Sequence, residues 1–130
     1  MKYLSSVKSL PGAPIVLYGE EDIDGSAIRL YPYWHFSSVV SKTFDLTFNQ
    51  DSFPEIDSNI VNWYLDLILN NTRDFFLSIN QEGQAIFDPS GKKQLLVPEL
   101  LKDRKAYKLV YRFPYWLRGG YTEELYRIVR

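Results

Sequence analysis

Four polar side chains crowd the middle of the chain: Asn49, Asp51, Ser52 and Glu55. A carboxylate at 51 or 55 can accept a proton or orient a hydroxyl, and an amide at 49 can donate and accept at once. A second polar pair, Asn80 and Glu82, follows a later apolar run. His35, the only histidine, lies between Trp34 and Phe36. An imidazole is the side chain best suited to take a proton near neutral pH. The set suits positioning and deprotonating a hydroxyl group. Each member also has a structural reading: acids before a helix meet its positive end, Asn forms turns, and a histidine among aromatics packs. One histidine with scattered acids is a poor metal donor set, and neither a Ser/His/Asp constellation nor a phosphate-cradling loop is readable.

These residues need elements to hold them. Residues 44–48 read as a buried apolar strand running straight into the polar loop. Asp57 or Ser58 can cap a helix in which Ile60, Val61, Tyr64, Leu65, Ile68 and Leu69 recur at helical spacing, and Asn70-Asn71 ends it. Residues 75–80 form the next strand, finishing on Asn80. Upstream, residues 2–10 read as the end of a helix stopped by Pro11-Gly12, and residues 15–18 as a buried strand. The acidic run at residues 20–25 is a surface turn without the ligand spacing of a calcium loop. Residues 28–36, broken by Pro32, form an edge strand or an irregular cover. An excursion spans residues 84–97, and a short helix starts at Pro98.

At the C-terminus, Tyr107, Leu109, Tyr111 and Phe113 alternate with polar or smaller residues. After Gly119-Gly120, a second period-two run spans residues 123–129. The glycines permit positive φ at the reversal, so the two runs predict an antiparallel pair with an irregular tip at residues 114–118. Apolar strands separated by a helix imply a parallel α/β sheet with right-handed crossovers, to which this pair is appended. In such sheets ligands bind beyond the carboxyl ends of the strands, where Asn49 and Asn80 stand.

The 130 residues are the size of one domain, with 45% hydrophobic and 24% charged residues, the balance of a folded chain. Ten Tyr, eight Phe and three Trp suit a half-buried sheet and the walls of a cleft. A net charge of −1 gives no field to attract phosphate backbones, so nucleic acid is not an expected partner. Without cysteine there is no disulfide, thiolate metal site or thiol nucleophile. No run approaches the ~20 apolar residues of a membrane span, nor does the N-terminus carry an apolar signal core, so the expected location is the cytoplasm, away from membranes.

The run Asp45-Leu46-x-x-Asn49-x-x-Ser52-x-x-Glu55 resembles the strand-four region of S-adenosylmethionine-dependent sugar O-methyltransferases, a class I methyltransferase group. Residues 76–82, Phe-Leu-Ser-Ile-Asn-Gln-Glu, resemble that family's fifth strand with its terminal Asn and following Glu, and the closing strand pair resembles the end of its fold. The resemblance implies a partial Rossmann-like sheet in which residues 14–18, 44–48 and 75–79 are parallel strands, with S-adenosylmethionine as cofactor and a sugar or glycan as substrate. It places Asp51, Glu55 and His35 as candidate proton acceptors, and Asn49, Ser52, Asn80 and Glu82 facing substrate or cofactor.

The family's glycine-rich turn has no counterpart. None of Gly12, Gly19, Gly25, Gly83, Gly91, Gly119 and Gly120 makes a G-x-G between strand and helix. The expectation is therefore the C-terminal half of such a domain, a fragment, split product or degenerate relative, inactive alone and completed by a second chain or an N-terminal half. A different reading is a non-catalytic carbohydrate- or protein-binding domain that uses the aromatics at residues 31–36 and 111–116.

Overall fold

The structure, a computed structural model, describes residues 15–20, 28–83 and 94–129. The helix expected at residues 2–10, the acidic run beyond Glu20 and the Pro-Ser-Gly turn at residues 89–91 lie outside the described residues. The chain divides into two compact units, Met1–Val39 and Val40–Arg130.

In the first unit, β1 (Ile15–Leu17) pairs in parallel with β2 (Ile28–Leu30), Ile15 opposite Ile28. Glu20 turns back so that its carboxylate accepts from the Leu17 N–H at 3.1 Å. Pro32 ends the extended run, and a 3-10 turn follows at Tyr33–Ser38. Two expectations are corrected here. β1 is half-buried rather than buried, and it is not a third parallel strand beside residues 44–48 and 75–79. With only three residues, β1 takes its ladder from the nearest extended segment, which minimises loop closure.

The second unit is built on a four-stranded mixed sheet of order β3-β4-β6-β5, with β3 at Phe44–Gln50, β4 at Thr72–Gln81, β5 at Tyr107–Pro114 and β6 at Tyr121–Ile128. β3 and β4 are parallel, joined through helix α1 (Ser58–Asn71). β6 runs antiparallel to both its neighbours, so it alone is reversed in this sheet. The Asp57 carboxylate caps α1 by accepting from the Asn59 N–H at 2.9 Å. At the other end Thr72 is already extended, and β4 leaves the helix without a loop. A second helix, α2 (Val97–Leu101), carries Pro98 in its first turn, where the missing N–H costs nothing.

Val61, Leu65 and Ile68, at helical spacing, are the buried side chains of α1 apart from its last residue, Asn71. Phe76 is fully buried at the centre, in contact with Phe53, Tyr107 and Tyr126 at ring separations of 6.4, 6.0 and 6.2 Å. The Tyr107 hydroxyl donates to the Leu65 carbonyl and so ties helix to sheet. Burial of the phenol pushes the Tyr107 pKa well above its ordinary value.

Residues 44–48 were expected to be buried, and they are not. Phe44, Leu46 and Phe48 keep 37%, 51% and 51% of their surface exposed, because β3 is an edge strand of its sheet. The period-two run of β5 is also interrupted. Its register shifts between Leu109 and Tyr111, so residues on either side of Val110 do not continue one face.

Candidate functional site at the carboxyl ends of the parallel strands

Parallel pairing brings the last residues of β3 and β4 together. Asn49 lies opposite Ser78, and Asn80, two residues on, projects from the same face as Ser78. The Asn80 Nδ2 donates to the Asn49 Oδ1 at 3.0 Å and to the Ser78 Oγ at 2.8 Å. The Asn49 Nδ2 in turn donates to the Ser52 Oγ at 2.7 Å. Asn49, Ser52 and Asn80 therefore form one chain of hydrogen bonds. Asn80 is only 3% exposed, yet its Oδ1 has no partner within the protein, the one buried side-chain atom of this kind among the described residues.

That free atom has a defined chemistry. If both amides turn over, the Asn49–Asn80 bond survives with its direction reversed, Ser52 donates in place of accepting, and an N–H₂ replaces the free oxygen. A hydroxyl can both donate and accept, so it satisfies the position in either state. A buried amide atom left unpaired costs about 1–3 kcal/mol, and a ligand hydroxyl or a water would recover much of that.

Beyond β3 the chain turns through Asp51, whose φ of +57° is uncommon for a residue with a Cβ. Its backbone N–H is held by the Ile79 carbonyl at 3.0 Å, and its carboxylate accepts from the Tyr121 hydroxyl and the Arg118 guanidinium. The Tyr121 hydrogen bond, followed by Arg118, holds the Asp51 carboxyl below the ordinary carboxylate range despite partial desolvation. A carboxylate held in this way stays charged and is a weaker base. Glu55, the last residue of the 3-10 turn Phe53–Glu55, is exposed.

Glu82 is ion-paired to Arg112, which also pairs with the buried Glu124. Glu124 accepts from the Tyr126 hydroxyl at 2.9 Å. Burial first, and then the Glu124 charge and hydrogen bond, push the Tyr126 pKa far above the phenol range. The polar face thus continues from Asn80 into a charged network across β6. Cross-strand register places Ser78 opposite Glu124.

His35 belongs to the first unit. It stacks on Tyr31 at 4.5 Å and meets Tyr18 at 5.0 Å, with its backbone N–H donating to the Pro32 carbonyl. The structure brings together Asn49, Ser52 and Asn80 directly, places Asp51 on the adjoining turn, and joins Glu82 to Arg112. Sequence reasoning missed Ser78, Arg118, Tyr121, Arg112, Glu124 and Tyr126. Ser78 was legible, since period two aligns it with Asn80. The others depend on pairings between strands far apart in the chain.

Among the described residues no group of three or more His, Cys, Asp or Glu converges as a metal site, and no helix is long and apolar enough to cross a membrane. No family model, curated protein or solved structure matches the chain. What the fold defines is a mixed α/β sheet with parallel and antiparallel strands and a polar cluster at one end.

Proposed function

We propose that this chain provides the substrate-facing second half of a sugar O-methyltransferase domain, with the ends of β3 and β4 as the seat of a sugar hydroxyl. The observation that carries this reading is the Asn80–Asn49 hydrogen bond, which bridges two parallel strand ends and leaves a buried amide atom free. Two parallel strands joined by a helix and closed by an antiparallel pair support it. In this reading Asn49 and Asn80 orient the hydroxyl, and the exposed Glu55 is freer than Asp51 to accept a proton.

S-adenosylmethionine does not fit the residues described. The glycine-rich strand-to-helix turn that lets a backbone approach a nucleotide closely has no counterpart in this sequence, whose seven glycines make no G-x-G between a strand and a helix. No methyl-transfer step is assigned to the chain by itself. Any cofactor in an intact domain would be held by residues other than these.

Two measurements test the proposal. Methyl glucoside, methyl galactoside and methyl mannoside, titrated into ¹⁵N-labelled protein, should shift the side-chain amide resonances of Asn49 and Asn80 with at least one sugar. Absence of shifts with all three at tens of millimolar would remove the reading. Calorimetric titration with S-adenosylmethionine should show no binding, and a micromolar affinity would overturn the claim that this half is insufficient.

A second reading, a non-catalytic carbohydrate-binding domain, is favoured by the exposure of Trp34 and Trp116, 60% and 84%. It expects the sugar-induced shifts to fall at residues 31–36 or 111–116 and leave Asn49 and Asn80 unmoved.

A further inference from the structure

The tip of the β5–β6 hairpin lies at the same end of the sheet as the carboxyl ends of β3 and β4. Its most exposed large side chain is Trp116, at 84%, followed by Leu117 at 61%. Hairpin tips are ordinarily built from small polar residues, and an indole so exposed leaves a large apolar surface in water.

The backbone beneath Trp116 is held from three sides. The Tyr115 N–H donates to the Tyr121 carbonyl at 2.8 Å, and the Arg118 and Tyr121 N–H groups close further turns onto Tyr115 and Arg118. Arg118 lies over the Tyr121 ring at 4.2 Å, and both donate to Asp51, beside the amide cluster. From the end of β4, the N–H groups of Glu82 and Gly83 both donate to the Gly120 carbonyl at 2.8 Å. That approach is close: a Cβ on Gly83 would meet the Gly120 Cα at 3.1 Å, so the facing backbone would have to give by a few tenths of an ångström. An exposed aromatic on a pinned turn is preorganised. It loses little conformational entropy when a ligand settles on it.

We propose that Trp116 is the stacking platform for the pyranose ring whose hydroxyl is held at Asn49 and Asn80; this rests on the sugar-binding reading above. The chemistry is complementary. Axial C–H groups of a pyranose present a flat apolar face to an indole, while a ring hydroxyl supplies the partner that the Asn80 Oδ1 lacks. The other two tryptophans are placed differently. Trp34 belongs to the first unit, and Trp63 lies on α1 with its ring against Tyr64 at 5.0 Å.

The test follows the three indole N–H resonances together with the Asn49 and Asn80 amides during titration with the same three methyl glycosides. The sugar that moves the amides is expected to move the Trp116 indole. Trp116→Ala is expected to weaken binding about fivefold, the order of one aromatic contact, and Trp116→Phe to retain most of it. Trp116 is exposed, so an unchanged backbone spectrum should confirm folding of both variants. Shifts of Asn49 and Asn80 with Trp116 silent, and equal affinity in Trp116→Ala, would overturn the platform and leave the sugar site standing. No amide shifts in the native chain with any of the three sugars would overturn both.

Discussion

A side chain buried for function and one buried for stability respond differently to deletion, and Asn80 separates the two. Asn80→Ala removes the donors to Asn49 and Ser78 but also removes the unpaired Oδ1. The net loss should be about 1–2 kcal/mol, seen as a lower urea midpoint with unchanged slope, while sugar-induced shifts disappear. Tyr126→Phe is a contrasting case. It withdraws a hydroxyl from the buried Glu124 carboxylate and should cost about 2 kcal/mol, without touching the amide cluster.

Asp51 supplies a pH signature. Its folded pKa lies below the unfolded value of 3.8, so the stability it contributes is present above that value. It is lost as pH falls through the folded pKa. Urea midpoints should therefore fall on acidification below about pH 4, and Asp51→Asn should flatten that part of the profile.

At the scale of elements, the hairpin tip and the helix cap are the places where single residues set the geometry. Gly120 has φ of +81°, a conformation that costs a residue with a Cβ about 1–2 kcal/mol. Gly120→Ala should lose that much in denaturant unfolding. It should also shift the Glu82 and Gly83 amide resonances, whose shared acceptor is the Gly120 carbonyl. Asp57→Ala, at a standard N-cap, should cost about 1 kcal/mol and leave the amide cluster untouched. The bulge near Val110 shows why the alternation in β5 misleads. One extra residue rotates the strand, and a pattern that is continuous in sequence changes face in the sheet.

For the whole molecule, the division into two units predicts that residues 40–130 carry their own core. A chain of those residues should retain the sheet, with dispersed amide resonances and a cooperative thermal transition. It should also self-associate at high concentration, because β3 is an edge with exposed Leu46 and Phe48. Leu46→Lys should reduce that association, read by sedimentation velocity, without lowering stability by more than a few tenths of a kcal/mol.

The amino-acid order alone determined the local elements of the second unit: the helix after Asp57, the strand ending on Asn80, and the closing pair with its glycine reversal. Each is written in a period of 3.6 or 2 and bounded by caps, prolines or glycines, which act within a few residues. It also put Asn49 and Asn80 at strand ends and Ser52 close behind. Tertiary structure alone decided that β3 is exposed, that β1 pairs with β2, and that β6 lies between β4 and β5. It also decided that Arg118 and Tyr121 fasten Asp51. Those outcomes depend on which strand edges meet and in what register, a choice made by burial and hydrogen bonding summed over segments as many as seventy residues apart, and no local pattern encodes it.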